Sequence, residues 1–142
     1  MRVDGFNPSD VARMSGLSLR QLRYLAQTGL LVASLRQASG PGSSARYSFE
    51  DLLRAAVIGR VRQVCGVEVR SARLRRMMDV LAARRSDGLL VIEPEGCWVQ
   101  DGDDAAAVAS LTEAALIVDL AAVRRRLQLA ARREGLPVVE AA

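Results

Sequence analysis

Lysine and histidine are both absent: all twenty basic residues of this 142-residue chain are arginine. Without histidine there is no imidazole for acid–base chemistry near neutral pH or for metal ligation. The two cysteines, Cys65 and Cys97, stand far apart. No Cys-x-x-Cys or Cys/His cluster exists, which excludes the usual structural zinc site. There is no nucleophile elbow and no glycine-rich phosphate loop ending in lysine. These absences point away from an enzyme and from any cofactor or metal. Five aromatic residues occur, Phe6, Tyr24, Tyr47, Phe49 and Trp98, so the core must be built mostly from Leu, Val, Ala, Ile and Met. No apolar run reaches the roughly 20 residues that span a bilayer, and Met1–Pro8 has no signal-peptide character. The expectation is a cytoplasmic protein with reduced thiols and no membrane contact.

Half of the residues are hydrophobic, enough for a packed core. The length suits one domain, or a small domain with a second module. Charge is unevenly spread. Residues 1–86 hold fifteen Arg against six acids, a net of +9, whereas residues 87–142 hold five Arg against ten acids, a net of −5. The asymmetry implies a polyanion-binding front half and a back half with a different task.

The most informative stretch is Ser18 to Leu30. Leu19, Leu22, Leu25 and Ala26 recur at helical spacing and are expected to face a core. Arg20, Arg23, Tyr24 and Gln27 fall at i, i+3, i+4 and i+7 on the other side. Guanidinium forks and amides on one helix face match phosphates and the major-groove edges of bases; the plain alternative is a solvated face. Ser18 and Gln21 have the spacing of a capping box, and Gly29 suits a left-handed helix end. Immediately upstream, Asn7-Pro8-Ser9-Asp10 starts another helix that stops at Gly16. Two short helices joined by a tight turn make a helix-turn-helix pattern.

Downstream, Leu30-Leu31-Val32 reads as a strand, residues 39–44 as a Gly/Ser/Pro loop, and Arg46-Tyr47-Ser48 as the returning strand. Together they form a basic β-hairpin with Arg36 and Arg46 on its flanks. Ser48 caps a third helix with the stripe Leu53, Val57, Val61 and Val64, ending at Gly66, and Cys65 reads as a small core residue. A fourth, strongly basic helix runs from about Val69 to Arg85; its arginines at 70, 73, 75 and 76 read as a solvated face. Composition shifts at Ser86-Asp87-Gly88. Leu89–Ile92 and Cys97–Gln100 are short strands around Glu93-Pro94-Glu95-Gly96, with Cys97 and Trp98 as a buried apolar pair. Asp103 or Asp104 caps a short helix to about Ser110. Ala114–Val118 is a third strand in which Leu116, Ile117 and Val118 face a small core. Asp119 caps a last helix through Glu134, which Gly135 and Pro137 stop. Val138–Ala142 reads as a frayed tail.

Ser9-Asp10-Val11-Ala12-Arg13-Met14-Ser15-Gly16-Leu17-Ser18, Arg20-Gln21-Leu22-Arg23-Tyr24 and Gly29-Leu30 resemble the DNA-binding domain of the MerR family of bacterial regulators. Arg46-Tyr47-Ser48-Phe49-Glu50-Asp51-Leu52 resembles the family's wing-to-helix motif, and Gly66-Val67 with the following helix also fits. The likeness covers about residues 7–82. It implies a winged helix-turn-helix that binds double-stranded DNA as a homodimer, the second helix in the major groove and the wing on the backbone. By position, Arg20, Arg23 and Tyr24 become recognition-helix residues and Arg46 and Tyr47 wing-end residues. For Tyr47, packing within the hairpin and bonding to phosphate remain alternatives. The family's long dimerisation helix is here cut short near Ser86, and its metal-ligand cysteines are missing.

The expected fold is mainly α with small β elements (α+β). Residues 1–86 form the winged helix-turn-helix; residues 87–142 form an acidic β/α module for dimerisation or partner binding, with Trp98 as an interface anchor. The expected function is sequence-specific transcriptional regulation. The alternative is an antitoxin that represses its own operon and binds its toxin through the C-terminal module.

Overall fold

The computed structural model describes residues 5–37, 45–66, 68, 72–83, 88–102 and 104–136. The wing tip at 39–44, Val67, Val69, Arg70, Arg84–Asp87, Asp103, Pro137 and the tail 138–142 lie outside the described residues. The chain folds as α1 (Pro8–Ser15), α2 (Leu19–Gln27), α3 (Phe49–Cys65), α4 (Ala72–Ala83), β1 (Leu89–Glu93), β2 (Gly96–Gln100), α5 (Ala105–Ala109), β3 (Leu116–Asp119) and α6 (Leu120–Arg133). This is a mainly helical fold with a small antiparallel sheet of order β2-β1-β3.

Local chemistry sets the helix starts. Asn7, Ser18 and Ser48 each close a full capping box, with Asp10, Gln21 and Asp51 reaching back to the cap N–H. Each box satisfies two backbone donors that a helix start otherwise leaves open. Asp104 caps α5 and Asp119 caps α6. Gly16 and Gly66 end α1 and α3 in the left-handed region.

Tertiary packing does the rest. α1 and α3 meet so closely that a Cβ on Gly59 would stand 2.0 Å from the carbonyl oxygen of Ser15. Only glycine permits that approach. β1 is buried on both faces. Leu90 and Ile92 join the main core with the helices, while Leu89 and Val91 pack with Val108 and Trp98 on the other side. The main core runs without a break from Phe6, Leu22 and Leu52 through Met77 and Leu81 to Leu120, Leu127 and Ala131. The basic and acidic segments therefore share one apolar interior. Ion pairs also cross between them: Arg13 of α1 with Glu134, and Arg124 of α6 with Glu50 of α3 at 2.7 Å.

Several sequence expectations need correction. Leu30–Val32 is not a strand. The N–H groups of Leu30 and Leu31 both donate to the Leu25 carbonyl at 3.0 and 3.2 Å, so they close the end of α2 and are lost to a ladder. Leu19 and Ala26 are exposed; α2 buries only the narrow stripe Leu22 and Leu25. Val64 and Cys65 are exposed as well, because the last turn of α3 runs past the elements that cover Val61. β3 starts at Leu116, not Ala114, whose carbonyl accepts the Thr112 hydroxyl in a turn. Strand alternation turns Ile117 away from Leu116 and Val118, leaving it exposed. Cys97 and Trp98 sit on opposite faces for the same reason, each half-buried. Arg73 is not a free surface charge: it donates to the Glu93 carbonyl at 2.6 Å.

Candidate nucleic-acid interface

α2 is held from behind by Leu22 and Leu25 and locked at its start by the Ser18–Gln21 box. Its end is tied down as Thr28 donates its hydroxyl to the Tyr24 carbonyl at 3.0 Å. A nine-residue helix fixed at both ends presents its outer face rigidly. That face carries Arg20, Arg23 and Gln27, all exposed, with Tyr24 half-buried beside them.

The wing arms are bridged at Arg36 and Arg46, where the N–H of each donates to the carbonyl of the other at 3.2 and 2.7 Å. A second bridge joins Tyr47 to Phe6. Arg36 is exposed and Arg46 half-buried, its Nε–H without a partner. Tyr47 is only 4% exposed. Burial and the nearby Asp51 charge raise its pKa, so the phenol stays neutral. That placement favours hairpin packing over phosphate bonding for the ring.

Asp51 is the hub of the wing root. It is 2% exposed, and its Oδ2 accepts from the Ser34 N–H at 2.8 Å, the Ser34 hydroxyl at 2.6 Å and the Ser48 N–H at 2.9 Å. One carboxylate thus ties the segment after α2 to the start of α3. A second brace comes from the far end of the chain. The Arg124 guanidinium lies 5.6 Å from the Phe49 ring centroid while pairing with Glu50. The cation–π and ionic contacts reinforce each other at this partly buried site.

The electrostatic consequence follows from where the acids go. Asp10 serves the first capping box and Arg13, Glu50 holds Arg124, and Asp51 holds the serines. Among the described residues no acid pairs with Arg20 or Arg23. Their positive charge faces outward from α2. Among the described residues no group of three or more His, Cys, Asp or Glu is placed to hold a metal, and no helix is long and apolar enough to cross a membrane.

Of the seven residues singled out from sequence, Arg20, Arg23 and Gln27 share the outer face of α2 with Tyr24 at its margin. Arg36 and Arg46 face each other across the wing. Sequence reasoning missed Arg124, which no local signal connects to Phe49, and read Asp51 only as a helix-start acid. The Ser48–Asp51 spacing was the available clue.

Residues 6–79 match the profile of the MerR HTH family of regulatory proteins. The match covers more than half of the chain, and the chain belongs to this family. A 57-residue stretch is 39% identical to an uncharacterised HTH-type transcriptional regulator of Mycobacterium bovis, and equally to two from strains of Mycobacterium tuberculosis. That stretch is 40% of this chain and 25% of the length of each relative, so the likeness spans about a quarter of those proteins.

Proposed function

We propose that this chain is a sequence-specific, dimeric DNA-binding transcriptional regulator of the bacterial cytoplasm. The observation that carries the reading is the outer face of α2: arginines and an amide at helical spacing, on a helix pinned at both ends, with no acid among the described residues paired to the arginines. Arg20 and Arg23 read base edges in the major groove, with Gln27 and Tyr24 contributing at the groove wall. Arg36 and Arg46 place the wing on the phosphate backbone. The acidic segment braces the wing and carries self-association. The antitoxin alternative has no observation of its own in the fold, and the relatives are named as regulators.

Duplex binding will be strongly salt-dependent. With ~6–8 phosphates contacted per dimer, log K against log salt slopes by roughly −5 to −7. Arg20→Ala or Arg23→Ala costs ~1–3 kcal/mol on the operator and relaxes sequence preference, whereas Arg46→Ala weakens all duplexes alike. A salt titration by fluorescence anisotropy, on DNA upstream of the gene and on a scrambled duplex, checks both. A flat salt response rejects DNA binding. Equal losses on both duplexes for all three variants reject the division between reading and positioning.

A further inference from the structure

β3 lies at the edge of the sheet, with β1 as its one neighbour among the described strands. The pairing fixes which backbone groups β1 takes up. The Leu120 N–H donates to the Gly88 carbonyl at 2.9 Å, and the same register sets Leu90 against Val118 and Ile92 against Leu116. Bonded and non-bonded pairs alternate along an antiparallel ladder. The backbone groups of Leu116 and Val118 therefore turn to β1, and the N–H and C=O of Ile117 point to the open side. No described strand meets them there, and an open edge is a template for another strand.

A groove of about 320 Å³ is walled by the whole of β3, by Arg60 and Val64 of α3, and by Val123 and Arg126 of α6. Successive strand residues alternate between faces, so a groove that touches every residue of Leu116–Asp119 follows the edge of the strand. Val64 and Ile117 are exposed beside it, at 66% and 37%. Arg60 and Arg126 are exposed too, and no acid among the described residues pairs with either. Their charges act on each other: desolvation and the charge of Arg60 hold the Arg126 guanidinium below its ordinary pKa. The acid on the groove, Asp119, accepts the Ala122 N–H at 3.1 Å as the cap of α6. Two like charges that no described acid pairs favour an anionic occupant. Val64, Ile117 and Val123 favour an apolar one.

We propose that this groove receives an extended segment of a partner protein, apolar and acidic in alternation, which joins the sheet as a strand beside β3. Its backbone bonds the N–H and C=O of Ile117, its apolar side chains cover Val64 and Ile117, and its carboxylates meet Arg60 and Arg126. This is strand addition, in which main-chain bonds give affinity and side-chain contacts give specificity. A nucleic-acid backbone would satisfy the two arginines but leave the apolar wall and the Ile117 peptide groups unused. None of the groove's lining residues belongs to α2 or the wing. The site therefore goes beyond the DNA-binding reading above and gives the regulator a place to receive a protein.

The test is selection from a display library of random short peptides on the immobilised full chain, then anisotropy titration of a labelled, enriched peptide. Enriched peptides should alternate apolar and acidic residues. Arg60→Glu and Arg126→Glu should each weaken the labelled peptide by roughly ten-fold or more. Ile117→Pro removes the outward N–H without taking a donor from the β1 ladder and should weaken it as well. Thermal melts confirm that each variant is folded, and each should bind duplex DNA as the parent chain does. A library that yields no enriched acidic peptide, or enriched peptides indifferent to both reversals, overturns the proposal. Losses in the reversals with Ile117→Pro unchanged overturn the strand pairing. A duplex that displaces the peptide and itself binds more weakly to both reversals makes the pair a phosphate site and overturns the protein partner. A dimer that dissociates on Arg126→Glu, read by sedimentation velocity, puts a second copy in the groove and overturns it too.

Discussion

α2 and α6 are both short, arginine-bearing amphipathic helices, yet they use the same side chain in opposite ways. The arginines of α2 are exposed on a face the protein does not need for its own packing, and no acid among the described residues pairs with them. Arg124 of α6 is spent internally, over Phe49 and against Glu50, where it braces the wing root. The contrast extends to the regions that hold them. The front of the chain is strongly basic and the back acidic, but α6 reaches across and buries Leu120 and Leu127 in the core that also holds Leu22 and Leu52. Net charge by segment marks where a polyanion can land. It does not mark where one packing unit ends.

The most severe break of this pairing is removal of residues 87–142. It strips α3 of α6 and leaves α4 without β2. Burial of Leu120, Val123 and Leu127 alone is worth ~1.5–3 kcal/mol for each side chain. The fragment is expected to lose several kcal/mol and the sharp urea transition of the full chain, read by far-UV circular dichroism. A fragment that unfolds as cooperatively and at the same midpoint would show that the front half stands alone.

Gly59→Ala strikes the front without touching charge. The new methyl collides with the Ser15 carbonyl, so α1 must move off α3. Overpacking of this kind costs about 1–3 kcal/mol, occasionally more. Operator affinity should fall with it, because α1 sets the placement of α2. Urea midpoints and anisotropy on the same variant check the link; lost stability with intact affinity would break it.

Arg124→Ala isolates the brace. Loss of a partly exposed ion pair and a cation–π contact should lower stability by about 1 kcal/mol. The informative readout is DNA binding on a duplex that retains the wing contacts. A drop comparable to Arg46→Ala would show that α6 positions the wing; unchanged affinity would confine Arg124 to packing.

The smallest expected effect concerns pH. Tyr47 has its pKa raised by burial and by Asp51. The folded state therefore holds the phenol proton after the unfolded chain would release it. This contribution is complete below the unfolded value of about 10 and is lost as pH rises through the folded value. Stability should thus decline above about pH 10, and Tyr47→Phe should flatten part of that decline. Urea midpoints between neutral and alkaline pH decide; identical profiles for both proteins would place Tyr47 outside the titration.

Much of the front half is legible without coordinates because its signals are local. Asn7, Ser18 and Ser48 each sit three residues before the side chain that completes a capping box, and each does cap its helix. Gly16 and Gly66 end helices where the pattern places them. The outer residues of α2 follow from helical period alone. The errors fall where a neighbour decides. Leu30–Val32 has strand-forming residues, but its N–H groups are claimed by the Leu25 carbonyl. Leu19 and Val64 are apolar residues at helical spacing that nothing covers.

The sequence by itself determined the capped starts of α1, α2 and α3 and the spacing of the basic face of α2, since each rests on interactions within a few residues of chain. Tertiary structure alone decided that Gly59 must lack a side chain, that Asp51 joins the segment after α2 to the start of α3, that Arg124 packs over Phe49 and against Glu50, and that β3 lies at the edge of the described sheet. These depend on contacts between residues far apart in the chain, where burial and the fate of each charge are set by what packs alongside rather than by what stands next in order.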